Sequence, residues 1–451
     1  MSAPFVAFDL TRIFFGPLQM TPRGIDRIEV GFAEHFLREW SGDSVATLPS
    51  PLGARAIGRE QAIAILETVQ QAWGERDAAD QHGMIARLKD RLTDGQARHD
   101  AIVRRDGAFL KIARIVRSAG RFFGPSAAAV VPRNGVYVNT GQVGLANSRM
   151  LSWLGGRPDI KPVFMLHDVI PIDHPEYVSP IHGHFHRNMV AATAAHAAGL
   201  IVTTKVAGAA ICRELQRIGR FDIPLIYEPL PVAPIFTQPP ERDDVLSAAP
   251  YFVVVGSIEP RKNHAVLLQA WQDEVRADPA GAPKLVIVGA RGRRHEAITG
   301  AIAASPALRS HVIEMGGLST PSLHRVLSNA RALLMPSMAE GFGLPIIEAL
   351  ALGLPVLASN IAAHREVGGG DVTYLDPSDP SAWRAAIRAR MLPAAQAVAA
   401  PPGLNTWPGY LRRLESFLST VAMTPRVDSR EGTVPLAPSA TAIAYSYESE
   451  S

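Results

Sequence analysis

The sequence predicts an α/β protein of two doubly wound domains, each a parallel sheet covered by helices on both faces. Three observations carry that prediction. The chain has 451 residues, and a single core rarely grows that large, so two domains of roughly 200 residues each are the default. Short apolar runs alternate with helix-length amphipathic stretches, the pattern of βαβ units rather than of hairpins. Several of those runs end in glycine-bearing loops, and a fold of this class puts its ligands at the carboxyl ends of its strands.

Composition narrows the function classes. Hydrophobic residues make up 47% and charged residues 19%, which leaves ample apolar material for two cores. The chain has 45 basic and 42 acidic residues, a net charge of +3. That balance gives no argument from charge for a nucleic-acid partner, and none is expected. Cys212 is the single cysteine, so no intramolecular disulfide and no cysteine zinc site can form, which fits a reducing compartment. The first residues lack a basic segment followed by an apolar one, and no run reaches the ~18 apolar residues of a spanning helix. The expectation is a cytoplasmic protein, with peripheral contact to a membrane left open.

The elements follow in order. Residues 5–10 (FVAFDL) predict the first strand. A loop with Gly16, Pro17 and Pro22 follows, and then Ile28, Phe32 and Phe36 recur at helical spacing within residues 25–40. Residues of about 55–125 are rich in Ala, Arg and Gln with few strand signals, and predict a helical insertion in the first domain. Strands resume at 135–139, 163–166 and 200–203. The proline-rich stretch 229–250 is the expected interdomain linker, placing the domains at 1–235 and 250–423. In the second, strands are expected at 251–255, 284–288, 312–315, 332–335 and 355–358. Helices are expected at 264–275, 321–330 and 344–352. The tail 424–451, rich in Ser, Pro, Glu and Thr, is expected to be disordered.

Three loops carry candidate chemistry. In residues 336–348 (PSMAEGFGLPIIE) a strand ends, Glu340-Gly341-Phe342-Gly343 turns, and a helix bearing Glu348 begins. The glycines let backbone approach a ligand, the helix start suits a diphosphate, and a carboxylate can accept hydrogen bonds from sugar hydroxyls. Two solvated acids at a helix start would look the same. In residues 255–263 (VGSIEPRKN) a strand ends at Gly256 and the loop carries Arg261 and Lys262. Both cations suit phosphate, although an isolated Arg-Lys pair is commonly a solvated turn. In residues 164–171 (FMLHDVIP) His167 stands at a strand end, where it could donate to a sugar or simply bond its neighbours. His182, His184 and His186 alternate in a pattern that suggests a metal site. We prefer a helix start, because alternate helical residues lie ~200° apart.

These segments resemble glycosyltransferase family 4, whose members have the GT-B fold of two Rossmann-like domains facing across a cleft. The resemblance runs from about Tyr251 to Trp383. It rests on Gly256 to Asn263, the strand ending at Gly289, Gly316-Gly317-Leu318-Ser319, the pair Glu340 and Glu348, Ser359-Asn360 and Glu366-Val367. The first half matches more loosely through Gly24, His167 and residues 200–215. The resemblance implies that Lys262, assisted by Arg261, holds the donor diphosphate. It implies that Glu348 bonds the nucleotide ribose and that Glu340 lies beside the transferred sugar. It also implies that the amides of Phe342, Gly343 and Leu344 contact the donor and that Gly317 and Leu318 grip its base. His167 is then poised near the sugar's outer hydroxyls, and Gly24 contacts diphosphate and acceptor. Gly256-Ser257 departs from the Gly-Arg of many members, and Arg23-Gly24-Ile25 from a double glycine, so Arg23 or Arg27 could reach the phosphates instead. The segment Arg23 to Arg27 resembles a branch that builds bacterial surface polysaccharides, often with mannosyltransferases.

The expected activity is retaining transfer of a hexose, with mannose from GDP-mannose as the first candidate, to a saccharide or lipid-linked acceptor. No Asp-x-Asp occurs where a metal-binding transferase of the other major fold needs it, so no metal and no cofactor are expected. The alternatives are a GT-B sugar-nucleotide epimerase and a non-catalytic nucleotide-sugar-binding partner. Within residues 101–123, Phe109, Ile112, Ile115 and Val116 fall near one helical face and Arg114, Arg117 and Arg121 largely on another, a pattern that fits docking on an anionic membrane and equally an apolar face packed on the first domain with solvated arginines.

Overall fold

The computed structural model describes residues 3–16, 22–50, 53–74, 77–93, 101–103, 124–178, 180–391 and 403–425. Its strands, in chain order, are β1 (Val6–Asp9), β2 (Ser44–Ser50), β3 (Gly53–Ile57), β4 (Ile102–Val103), β5 (Val136–Asn139), β6 (Lys161–Leu166), β7 (Gly199–Val202) and β8 (Leu225–Tyr227) in the first part of the chain. The second part adds β9 (Tyr251–Val255), β10 (Lys284–Val288), β11 (Val312–Gly316), β12 (Leu333–Met335), β13 (Val356–Ser359) and β14 (Val372–Leu375). They form two 7-stranded sheets of order β3-β2-β1-β5-β6-β7-β8 and β14-β13-β12-β9-β10-β11-β4. Every pairing is parallel except β2 with β3.

Strand alternation divides the apolar material. On β1, Val6 and Phe8 enter one core and Ala7 another. On β9, Phe252 and Val254 pack under Trp271 and Trp383, while Tyr251 and Val253 turn to the opposite face. The core containing Phe8 and Val253 is continuous between the two sheets. It explains why strands covered on both faces read as uninterrupted apolar runs.

Among the described residues, segments cross between the halves in both directions. The helix Trp407–Met423 follows the second sheet in sequence but packs against β5 and β6 of the first. Trp407 and Tyr410 meet Phe32 with ring centroids 5.7 and 5.6 Å apart. Arg413 bonds the buried Glu228 through both Nε and Nη2. In the other direction, the helix Asp77–Thr93 leans on the second half. Its Lys89 lies 2.7 Å from Asp243, which also takes Arg325 at 2.6 Å. Burial works against the Asp243 charge, but the two cations win and hold its pKa down to about 2.

The predicted helical insertion is therefore corrected in two respects. It opens with a strand, since Gly53–Ile57 turns back on β2, and its short Ile102–Val103 segment extends the second sheet beside β11. Of its two described helices, Arg59–Gly74 packs on the first half, through Ile65, Leu66 and Val69. Small and basic residues in β3 hid the strand, and a two-residue strand has no period to detect. The expected linker holds a single 3-10 turn, Pro234–Thr237, and the helix Asp244–Ala248. The amphipathic residues 109–121 and the tail from 426 lie outside the described residues.

Candidate active site at the facing strand ends

The site begins where β9 and β10 end side by side. A Cβ on Gly289 would stand 1.9 Å from the Gly256 carbonyl oxygen, so only glycine allows the two strand ends to meet. A Cβ on Gly256, whose φ is +150°, would come 3.1 Å from Lys262 Cε. These glycines let the Pro260–Lys262 turn fold back over the sheet edge. Asn263 closes that turn in the left-handed region at φ +52°. Its amide donates to the carbonyls of Pro336 and Pro377 at 3.1 and 2.8 Å, binding the turn to the loop after β12.

The turn aims its two cations at one carboxylate. Lys262 Nζ lies 2.5 Å from Glu340 Oε1, and Arg261 Nη1 lies 2.7 Å from Oε2. Ser337 donates to Oε1 at 2.7 Å. Burial alone would raise the Glu340 pKa, but Arg261 and Lys262 overcome it and hold the group well below the usual carboxylate range. Burial likewise opposes charge on Arg261, yet Glu340, Glu259 and Asp168 keep it firmly protonated. A preorganised charge cluster of this kind is suited to a phosphate-bearing ligand. His364 adds a buried ring beside it: Nδ1 bonds the Ser359 carbonyl, Nε2 has no partner, and burial lowers its pKa.

Past Glu340 the chain reaches the first half. A Cβ on Gly341 would lie 2.7 Å from the His167 carbonyl and 2.9 Å from Asp168 Oδ2. Thr204 donates to the Gly341 carbonyl at 2.9 Å, and Glu366 accepts from the amides of Lys205 and Val206. Gly343, left-handed at φ +102°, starts the helix Leu344–Ala351 without a side-chain cap. Phe342 is buried in the core, so its backbone is what the loop offers to a ligand. On the same helix Glu348 is buried and bonds Arg27 of the first half through Oε1. Gly24 faces this helix too, since a Cβ there would meet Leu344 Cδ1 at 2.8 Å.

On the first half, a polar network lies behind this contact. Asp26 caps the Gly24–Glu34 helix by accepting from the Arg23 amide and pairs with Arg12 at 2.7 Å. Glu29 accepts from Thr140 Oγ1 at 2.7 Å, while Tyr137 donates to Asp9 at 2.6 Å. His167 is pushed down to about 3 by burial and then by Arg12, so its ring is neutral near pH 7, and its buried Nε2 has no partner. Desolvation raises Asp9 to about 6 and Glu29 to about 8.

These raised values have a sign that can be tested. Unfolded Glu29 ionises near 4.5 and folded Glu29 only near 8. The folded state thus holds a proton that the unfolded chain has lost, and stability falls as pH rises through that window. Glu29→Gln removes this term. The variant's stability relative to wild type should improve between pH 5 and pH 8 by up to ~1.4 kcal/mol per pH unit. Urea melts across that range check it, and a pH-independent difference would mean that Glu29 folds ionised.

The structure thus brings together most of the residues expected from sequence. Arg261, Lys262, Glu340, Gly256 and Gly289 form one cluster, Gly341 joins it to His167, Leu344 faces Gly24, and Glu348 meets Arg27. Gly317, left-handed at φ +84°, and the buried Leu318 follow β11 at the same edge of the sheet. His182, His184 and His186 sit on the helix Pro180–His196, with His184 exposed. Sequence reasoning missed Arg12, Asp26, Glu29, Ser337, Asp168 and His364. The acid that ends β1 and the base three residues on were the available signal for Arg12, but nothing in the sequence pointed to its partner.

Comparison with known proteins bears on the family of the second half and on the fold. Residues 249–391 match the family of glycosyl transferases group 1. A serotype-specific mannosyltransferase WbdA of Escherichia coli is 33% identical over 136 residues, 30% of this chain and 16% of that protein. The O-antigen chain mannosyltransferase RfbU of Salmonella typhimurium is 28% identical over 228 residues, 49% of this chain and 59% of that protein. The matched segments thus span less than two thirds of these relatives. Among solved structures, sucrose-phosphate synthase from Thermosynechococcus elongatus superposes with a TM-score of 0.58 at 15% identity, covering 93% of this chain and 99% of that one. HepE of Anabaena in complex with UDP and glucose gives 0.58 at 15% identity, covering 93% and 100%. Residues 249–391 are therefore a glycosyl transferases group 1 region, carried in a chain with the two-domain GT-B fold.

Proposed function

We propose that this chain is a metal-independent, retaining glycosyltransferase. It moves a hexose, mannose from GDP-mannose, to a saccharide or lipid-linked acceptor in surface polysaccharide synthesis. The observation that carries this is the Glu340 carboxylate held between Arg261 and Lys262 at the strand ends facing His167. Relatives named for mannosyl transfer, two of them acting on O-antigen chains, support the choice of sugar and pathway.

In this mechanism Lys262 and Arg261 stabilise the charge that grows on the departing diphosphate. Glu340 fixes both cations beforehand, so little reorganisation is needed during reaction. An ammonium has three N–H donors, and Glu340 takes one, which leaves Lys262 able to reach phosphate oxygens. The bond from the sugar's anomeric carbon to the phosphate oxygen breaks as the acceptor hydroxyl attacks from the same face. The acceptor's proton passes to the leaving phosphate oxygen, and the anomeric configuration is retained. His167, neutral in its buried site, positions a sugar hydroxyl and transfers no proton.

Every phosphate partner here is a cation or an amide, so EDTA should leave the rate unchanged. Loss of activity in EDTA with recovery on adding magnesium or manganese would overturn the mechanism. The activity itself is tested by a panel of nucleotide sugars with and without acceptors. Acceptor-dependent release of nucleoside diphosphate is expected from one donor. Sugar isomerisation without acceptor would indicate an epimerase, and binding without turnover a non-catalytic partner.

A further inference from the structure

The contact between Arg27 and Glu348 joins residues 321 positions apart and carries two unsatisfied groups. Glu348 is 1% exposed. Its Oε1 takes Arg27, while Oε2 is buried and has no partner. A buried carboxylate oxygen without a donor is costly unless a ligand supplies one. Arg27 is itself largely buried. Its guanidinium lies 5.7 Å from the centroid of Phe236, a fully buried ring in the linker, and its Nε is also buried without a partner. Its backbone belongs to the helix that begins at Gly24, which touches Leu344 on the helix bearing Glu348.

We propose that Arg27 is a positioning residue for nucleotide recognition. The first half occupies one oxygen of Glu348 and thereby presents the other, Oε2, to a single ribose hydroxyl of a nucleoside diphosphate. This rests on the glycosyltransferase reading and goes beyond it, because it makes a binding contact of the second half depend on a residue of the first. Ribose selectivity then exists only while the halves are closed on each other. With Oε1 facing Arg27, Oε2 is the oxygen left without a donor, and the ribose hydroxyl nearest it makes the stronger bond.

The test is isothermal titration of the full chain with the nucleoside diphosphate of its donor and with the 2′-deoxy and 3′-deoxy analogues. In wild type one analogue should bind at least about tenfold more weakly, because it leaves the charged acceptor unpaired, while the other binds like the parent. Arg27→Met should lower that discrimination to below about threefold, and Arg27→Lys should restore part of it, since a cation again neutralises Oε1. Where Arg27→Met fails to fold, the charge-neutral pair Arg27→Met/Glu348→Gln is compared with Glu348→Gln alone. Equal affinities support action through Glu348, and a further loss in the pair overturns it. Undiminished discrimination in a folded Arg27→Met protein, or equal binding of parent and both analogues by wild type, also overturns the inference while leaving the glycosyltransferase reading intact. Failure of every ribonucleoside diphosphate to bind would instead refute that reading itself.

Discussion

Lys262→Ala should keep its fold and lose more than tenfold in kcat/KM. A charge-assisted hydrogen bond to the leaving group is typically worth ~1.5–3 kcal/mol, which corresponds to a factor of about ten to a hundred in the transition state. The fold should survive because Glu340 keeps Arg261 and Ser337 after the ammonium is gone. Truncating the stem removes atoms beside Gly256 and adds none that could clash. Steady-state kinetics beside a thermal melt separate the two effects. Wild-type kinetics in a well-folded variant would remove Lys262 from the site.

A larger structural effect is expected for Gly289→Ala. The added methyl would stand 1.9 Å from the Gly256 oxygen and 2.6 Å from its carbonyl carbon, so β9 and β10 must part by more than about an ångström. That motion strains the bonds from Gly256 N to the Val288 carbonyl and from Ile258 N to the Ala290 carbonyl, both 2.9 Å. Overpacking of this kind costs ~1–3 kcal/mol or more, and the shift carries the Arg261–Lys262 turn with it. Stability and activity should therefore fall together. Gly300→Ala is the control: it lies in the helix Glu296–Ala304 with nothing near its Cβ position, and should be neutral or stabilising by ~0.5–1 kcal/mol. A Gly289→Ala protein as stable as the control would refute the close approach.

The second half was largely legible in the sequence because its chemistry is local. The run 251–255 became Tyr251–Val255, and 284–288 became Lys284–Val288. The loop cations follow their strand within a few residues, so placing the strand placed Lys262. The pairing of Lys262 with Glu340 was within reach too, since both loops leave the same sheet edge. What remained hidden depends on distance along the chain. Arg27 meets Glu348 and Thr204 meets Gly341 only after both sheets have formed. The helix Trp407–Met423 is amphipathic wherever it packs, so its apolar face could not announce that its partner was the first sheet. β3, written Gly-Ala-Arg-Ala-Ile, has one large apolar residue and forms through its antiparallel ladder with β2. The network of Asp9, Arg12, Asp26 and Glu29 was invisible for the same reason as the Arg27 pair: burial of an acid is a property of its neighbours.

The central claim is that a nucleotide sugar binds where the loops after β9 and β12 meet the first half. Amide hydrogen exchange, with and without nucleoside diphosphate and nucleotide sugar, tests it most directly. Bound ligand should slow exchange in residues 256–263 and 337–348, and also around Gly24 to Arg27, while the loops at the amino ends of β9, β10 and β11 are unaffected. Unchanged exchange in both second-half loops at saturating ligand, or protection confined to the opposite ends of the strands, would contradict the account.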